Sequence, residues 1–391
     1  MVVKVQPIVT TNTHLIKCMN NNEYLCEDNC DEAIGLLMTY RCNLSCKYCY
    51  IQKKQPLDFN LETAQVILEQ FLNKDEGKVD ITFMGGETLL AYKVIVQLIE
   101  WVQSKKWKRK YRFFGSTNGT LLTDDMKPWL LAHRSIFTLA LSYDGLPETQ
   151  TDNRGNDSID TDFFIKTWPF QPIQMTINAE SVNKMADGVI YLLEKGARVH
   201  PNVAFEETDW SDEHILEYGR QLYRLAIYYN SHPDLPTITQ FSHDLSEYAD
   251  NIDNPKIQKE ICGAGNGFQV FDVDGSSYPC HILSPLVLSG EKLNVIKDGL
   301  LSQTSDFSDE RCSKCPYNTA CPTCMACNFL YRGQLQKRDW THCQVMQMEV
   351  KAFIKKEVLR LTAKMELTPE DATEIDAICK ITEYEKRRHY T

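Results

Sequence analysis

The chain has 391 residues, 43% hydrophobic and 24% charged, with a formal net charge of −11 and 15 cysteines. That balance fits a soluble globular protein of two or three domains and excludes nucleic acid as the main partner, because phosphate binding needs a basic footprint. No stretch approaches the roughly 18 apolar residues of a membrane span, and the start, Met1 to Pro7, lacks a signal-peptide core, so the sequence reads as cytoplasmic, where an odd number of cysteines points to metal rather than disulfides.

Residues 1–33 read as an irregular or hairpin-like N-terminal extension. The apolar run Ile34–Thr39 predicts a strand, and Tyr40-Arg41-Cys42-Asn43-Leu44-Ser45-Cys46-Lys47-Tyr48-Cys49-Tyr50 follows it directly. Cys42, Cys46 and Cys49 are spaced C-x3-C-x2-C. A 4Fe–4S cluster takes four thiolates, so a motif offering three leaves one iron for a ligand that is not protein. Zinc sites favour C-x2-C pairs and a fourth ligand, and no fourth Cys or His lies nearby.

From there to residue 235, apolar runs alternate with amphipathic stretches. Helix Leu61–Leu72 leads to strand Val79–Met84 and the segment Gly85-Gly86-Glu87-Thr88. Helix Tyr92–Ser104 leads to strand Tyr111–Gly115 and Ser116-Thr117-Asn118-Gly119-Thr120. Helix Thr123–His133 leads to strand Phe137–Tyr143, which carries Ser142 and runs into Asp144-Gly145 and then Asp152-Asn153-Arg154. Helix Thr161–Trp168, strand Ile173–Asn178, helix Val182–Lys195, strand Arg198–Ala204 and helix Asp212–Tyr228 complete the series. Six strand–helix units predict a parallel α/β fold, closed into a partial (β/α)6 barrel of TIM type. The chemistry of such barrels sits at the C-terminal ends of the strands, where all of these polar segments fall. Taken singly, Asn-Gly and Asp-Gly are ordinary turn formers; their order after successive strands is what gives them weight.

Residues 236–261 are polar and read as a linker. Residues 262–350 hold eight more cysteines: Cys262, Cys280, Cys312, Cys315, Cys321, Cys324, Cys327 and Cys343. Gly275 is expected to turn between two short strands, Gln269–Val273 and Ser277–Pro279. Residues 351–391 form a C-terminal helical tail, with helices over Gln344–Lys364 and Leu367–Tyr390.

The cysteine run, with Tyr48 just before its third cysteine, resembles the cluster motif of the radical S-adenosylmethionine (radical SAM) superfamily. The resemblance implies that the open iron chelates SAM and that an electron from the cluster splits it into methionine and a 5′-deoxyadenosyl radical. Gly85-Gly86-Glu87 resembles the segment that holds the methionyl amine there, with Thr88 standing where Pro is usual. The Thr117–Thr120 and Ser142–Gly145 segments resemble those of anaerobic sulfatase-maturating enzymes and their peptide-modifying relatives. By that resemblance Asn118, Ser142 and Asp144 line the ribose or methionine pocket, and Arg154 pairs with the SAM carboxylate, a task suited to a bidentate guanidinium.

The C-terminal cysteines resemble a SPASM domain, which implies two auxiliary 4Fe–4S clusters and three in all. Cys312, Cys315, Cys321 and Cys343 would ligate the outer one, and Cys262 and Cys280 the inner one. Met325 stands where the family pattern has the next inner ligand, so Cys324, Cys327 or both serve instead. If one serves, an iron is open to a substrate thiolate; if both serve, the cluster is closed. The resemblance implies an enzyme that matures a ribosomally made precursor peptide by installing a carbon–carbon or thioether crosslink. It also implies an external electron donor of flavodoxin or ferredoxin type, and a leader peptide held by a separate protein or by residues 1–33 as an added strand. Two alternatives stand beside it. A formylglycine maturase of sulfatase type would need a base, for which His281 is the candidate, in place of that family's Asp. An iron–sulfur electron carrier would have no use for the SAM-pocket residues.

Overall fold

The computed structural model describes residues 31–388, apart from 52–54, 76, 205, 207–208, 257–261, 304–308 and 322. The extension expected at 1–33 lies outside the described residues as far as residue 30. Strand β1 (Glu32–Thr39) is followed by helix α1 (Leu61–Leu72), β2 (Lys78–Gly85), α2 (Tyr92–Gln103), β3 (Lys110–Thr117), α3 (Lys127–His133), β4 (Phe137–Leu141), α4 (Pro147–Arg154) and α5 (Thr161–Thr167). Then come β5 (Ile173–Ile177), α6 (Met185–Glu194), β6 (Val199–Val203), α7 (Asp212–Ser231) and α8 (Leu245–Asp253). The C-terminal part holds β7 (Phe268–Phe271), β8 (Ser277–Tyr278), α9 (Gly290–Lys297), α10 (Leu300–Gln303), α11 (Met325–Arg332), α12 (Trp340–Thr362) and α13 (Pro369–Arg388).

All six expected strands form, and the sheet is mostly parallel. β1 is buried along its length from Ile34 to Met38, as a parallel strand covered on both faces should be. Its register sets Ile34 opposite Ile81 and Leu36 opposite Phe83, and β3 continues with Phe113 beside Ile81. β5 and β6 pair with each other, and a single bridge between Ser142 and Gln174 joins them to the end of β4. The result is an α/β arrangement consistent with a partial barrel. Helices cover it with apolar faces, as in α1, where Asn60 caps the first turn and Ala64, Ile67, Leu68, Phe71 and Leu72 are buried.

Four elements depart from expectation. Helix α4 was not anticipated, because its buried face is polar (Thr149, Gln150, Asn153, Arg154) and hydrophobic periodicity is blind to it. Helix α3 starts four residues late, with Pro128 in its first turn. The described part of the expected linker, residues 236–256, is structured: Asp244 caps α8, which buries Leu245, Tyr248 and Ala249, and Tyr248 meets Tyr317 edge-on at 5.3 Å between ring centroids. Finally, the expected hairpin forms, with Gly275 at φ +84° in its turn, but β7 also pairs in parallel with β1, from Ala33 opposite Phe268 to Leu36 opposite Phe271. The C-terminal cysteine region is therefore built onto the barrel sheet rather than set apart from it.

Helix α12 packs along α7, and there the hydroxyl of the fully buried Tyr218 donates to the Glu349 carboxylate at 2.6 Å. Burial pushes Glu349 up from 4.5 to about 7, against the Tyr218 hydrogen bond. Between those two values the folded protein binds the proton and the unfolded chain does not, so this group's contribution falls as pH rises through the window. The loss is on the order of 3 kcal/mol. Glu349→Gln should remove it: in urea unfolding, the variant's stability relative to the parent should rise between about pH 4.5 and about pH 7 and level off above that. An unchanged difference would mean that Glu349 is ionised at little cost.

Candidate active site

The cysteine loop is clamped onto the C-terminal end of the sheet. The Gly86 N–H donates to the Thr39 carbonyl and the Glu87 N–H to the Arg41 carbonyl, both at 2.8 Å. A Cβ on Gly85 would lie 2.2 Å from the Thr39 oxygen, and one on Gly86 2.1 Å from the Arg41 oxygen. Such approaches are open only to glycine. What these two glycines admit is the backbone of residues 39–42. Further ties hold the loop elsewhere. Arg41 pairs with Asp58 at 2.8 Å, Asn118 Nδ2 donates to Asn43 Oδ1 at 3.0 Å, and the Lys47 N–H donates to the Asn153 carbonyl at 3.0 Å.

A cavity of about 560 Å³ opens against this loop. Of the site residues read from sequence, Cys42, Cys46, Cys49, Tyr48, Gly85, Gly86, Glu87, Asn118, Ser142 and Arg154 all line it. Glu87 is 2% exposed, and its carboxylate already accepts from Leu89 N, Asn118 N and Thr117 Oγ1. Burial raises its pKa in spite of those bonds. It ties the ends of β2 and β3 together as well as facing the cavity.

Asp144 is not a lining residue, which corrects its expected role. It is fully buried and accepts from Arg154 Nη2 at 2.9 Å, the Thr176 N–H at 3.0 Å, Asn153 Nδ2 at 3.2 Å and the Tyr48 hydroxyl. Burial works to lower the pKa of Arg154, but Asp144 outweighs it and keeps the guanidinium charged. The Arg154 Nε has no protein partner, so the side chain is anchored behind and has capacity left at the cavity wall. His281 is not in the lining either. It packs half-buried against Tyr50, 5.6 Å between ring centroids, and desolvation pushes its pKa down to about 4; the expected base is not among the residues that line the cavity.

The far wall holds residues that sequence reading missed. Thr176, Val203 and Ala204 stand at the ends of β5 and β6, where the strand-end rule could have found them. Glu206, Thr323, Tyr331 and His342 carry no local signal. Glu206 pairs with Arg332 of α11 at 2.7 Å, joining the barrel to the cysteine-rich region.

Cys324 and Cys327 also line this cavity. Cys324 caps α11. A hydrogen bond from Cys327 pulls the Cys324 thiol down to about 7, and the same pairing raises Cys327. Charges on Cys262 and Cys324 are felt at Cys280, and that on Cys280 at Cys327. Met325 is buried in the apolar cluster with Ile282 and Leu283. The remaining four, Cys312, Cys315, Cys321 and Cys343, surround a separate cavity of about 40 Å³. Among the described residues, no three His, Cys, Asp or Glu side chains converge as a single metal ion requires.

Residues 36–168 match the family model of the Radical SAM superfamily. That stretch, which carries Cys42, Cys46 and Cys49, is thus of radical SAM type. The chain is similar to the sporulation killing factor maturation protein SkfB of Bacillus subtilis, 29% identical over 41% of this chain and 40% of that protein. The chain spans less than half the length of the curated relatives it matches. Its fold is similar to that of native anSMEcpe with bound AdoMet and Kp18Cys peptide, with a TM-score of 0.61 at 18% identity, covering 85% of this chain and 98% of that one. It is also similar to Streptococcus suis SuiB bound to precursor peptide SuiA, with a TM-score of 0.58 at 17% identity, covering 81% and 76%. No helix among the described residues is long and apolar enough to cross a membrane.

Gly86→Ala should force the cysteine loop off the end of β2, costing about 3 kcal/mol, the upper end of overpacking penalties. Urea unfolding checks this; a variant as stable as the parent would contradict the clamp.

Proposed function

We propose that the protein is a radical SAM maturase of a ribosomally synthesised peptide, which abstracts a hydrogen from the precursor and installs a crosslink. The observation that carries this reading is that one cavity has Cys42, Cys46 and Cys49 at one wall and Cys324 and Cys327 at another. A SAM-binding cluster and an auxiliary cluster would then face the same space.

The residues present fit these groups. Three thiols without a fourth nearby suit a cluster with an open iron. The unpartnered Nε of Arg154 offers a donor for the SAM carboxylate, while Tyr48 and Asp144 hold that guanidinium in place. Glu87 presents negative charge for the methionyl amine, and Asn118 and Ser142 offer polar groups for the ribose. When bound there, SAM and its cluster would supply the 5′-deoxyadenosyl radical; the protein's part is to exclude water and select the hydrogen.

For the inner auxiliary cluster we favour closure by Cys262, Cys280, Cys324 and Cys327, because Cys324 and Cys327 hydrogen-bond to each other, Cys324 acts on Cys280 and Cys262, and Cys280 acts on Cys327. A closed cluster suits electron transfer, and with it a carbon–carbon crosslink, over the holding of a substrate thiolate. Cys312, Cys315, Cys321 and Cys343 would hold the outer cluster, completing a SPASM domain over 262–350. That anSMEcpe and SuiB, similar in fold, have been captured with peptides bound supports a peptide substrate. A flavodoxin or ferredoxin type donor, a separate leader-binding protein and a cytoplasmic site complete the proposal. The formylglycine reading is weakened because His281 is not among the residues lining the cavity.

Anaerobically reconstituted protein should hold about 12 irons, four per cluster, and Cys42→Ala, Cys46→Ala and Cys49→Ala together should remove about a third. Arg154→Ala should weaken SAM binding at least about tenfold, about 1.4 kcal/mol, with iron unchanged. With SAM, reductant and the precursor peptide, mass spectrometry should find 5′-deoxyadenosine and a peptide lighter by a hydrogen pair. Peptide returned unmodified while SAM is cleaved would overturn the peptide reading.

A further inference from the structure

Among the described residues, Arg338 carries a buried charge that nothing so far explains. It is 2% exposed, and its Nε, Nη1 and Nη2 all lack a hydrogen-bond partner. Its main chain is held in place: the Arg338 N–H donates to Asp309 Oδ2 at 3.1 Å, and its carbonyl accepts from Arg311 Nη2 at 2.7 Å. Asp309 in turn is bonded to Arg311, at 2.9 Å from Nε, so its charge is already answered. A guanidinium carries five N–H donors and keeps its proton. Burying one without an anion costs several kcal/mol. The fold therefore implies that an anion faces it.

The place to look is the 40 Å³ cavity, which Arg338 lines together with Cys312, Cys315, Cys321 and Cys343. Four thiolates around an iron–sulfur core make a unit with a net charge of about −2 when oxidised and about −3 when reduced by one electron. A fixed buried cation is attracted to both forms, and more strongly to the reduced one, since Coulomb energy scales with charge and is large where water is excluded.

We propose that Arg338 is the built-in counter-ion of the outer auxiliary cluster and raises its reduction potential. This rests on the assignment of that cluster to Cys312, Cys315, Cys321 and Cys343. The electron comes from an external reductant and stays on the cluster; no proton or bond changes place at Arg338. It is a positioning residue for charge, not a catalytic one. The outer cluster lies away from the substrate cavity, so such tuning would make it the exchangeable store at the end of an electron path.

The test uses the full-length protein, loaded anaerobically and titrated with dithionite, with each cluster followed by electron paramagnetic resonance. The outer signal is the one lost in Cys312→Ala/Cys343→Ala. Arg338→Gln should keep its iron and make that cluster harder to reduce by at least about tenfold in equilibrium constant, a fall of about 59 mV for one electron. Arg338→Lys should return most of the shift. If Arg338→Gln loses the cluster, retention in Arg338→Lys at the parental potential supports the same conclusion. An unmoved midpoint in an iron-replete Arg338→Gln overturns the inference, as does loss of the cluster from both variants, which would make the side chain's shape rather than its charge the requirement. If the double cysteine variant keeps all of its iron, the cluster assignment itself fails and the inference falls with it.

Discussion

The site depends on one contact, the seating of the Thr39–Cys42 backbone on Gly85 and Gly86. With 2.1 Å between an added Cβ and the Arg41 oxygen, no side chain of any size fits at position 86. Two main-chain hydrogen bonds close the same interface. They place Cys42, Cys46 and Cys49 over the strand ends, and they start the turn in which Glu87 reaches back to Thr117 and Asn118. Loop, carboxylate and third strand therefore rise or fall together.

Behind that contact lies a polar knot of unusual depth. Asp144, Arg154, Asn153 and Tyr48 are bonded to one another, and the first three are less than a tenth exposed. Partly satisfied networks of this kind are costly, and helix α4, which carries Asn153 and Arg154, has almost no apolar residues with which to offset the cost. Its sequence is best understood as made for orientation: the acid fixes the guanidinium, and the Arg154 Nε has no protein partner. Arg338 shows the same economy in the C-terminal region, a charge buried with its main chain secured and its donors uncommitted.

Much of this was legible in the sequence. The strand Ile34–Thr39 followed by C-x3-C-x2-C located the centre, and the positions of Glu87, Asn118, Ser142 and Arg154 after successive strands put them on one face. What escaped has identifiable physical causes. α4 is polar on its buried side, so no apolar period announces it. Asp144 reads as a pocket residue because Ser142 is one, yet the chain leaves the strand at Leu141 and carries Asp144 inward to the Thr176 N–H. The pairing of β7 with β1 joins segments more than 200 residues apart, which no local pattern encodes. The wall built from Thr323, Tyr331 and His342 depends on that docking and was invisible for the same reason.

The central claim is that this fold arranges its cysteines into three groups, two of which face one reaction cavity. Anomalous diffraction at the iron edge from crystals of the anaerobically reconstituted protein tests it most directly. The account predicts three iron centres: one on the Cys42, Cys46 and Cys49 loop, one among Cys262, Cys280, Cys324 and Cys327, and one among Cys312, Cys315, Cys321 and Cys343, with the first two bordering the same cavity. Iron at the first loop alone, or zinc among the C-terminal cysteines, would contradict it.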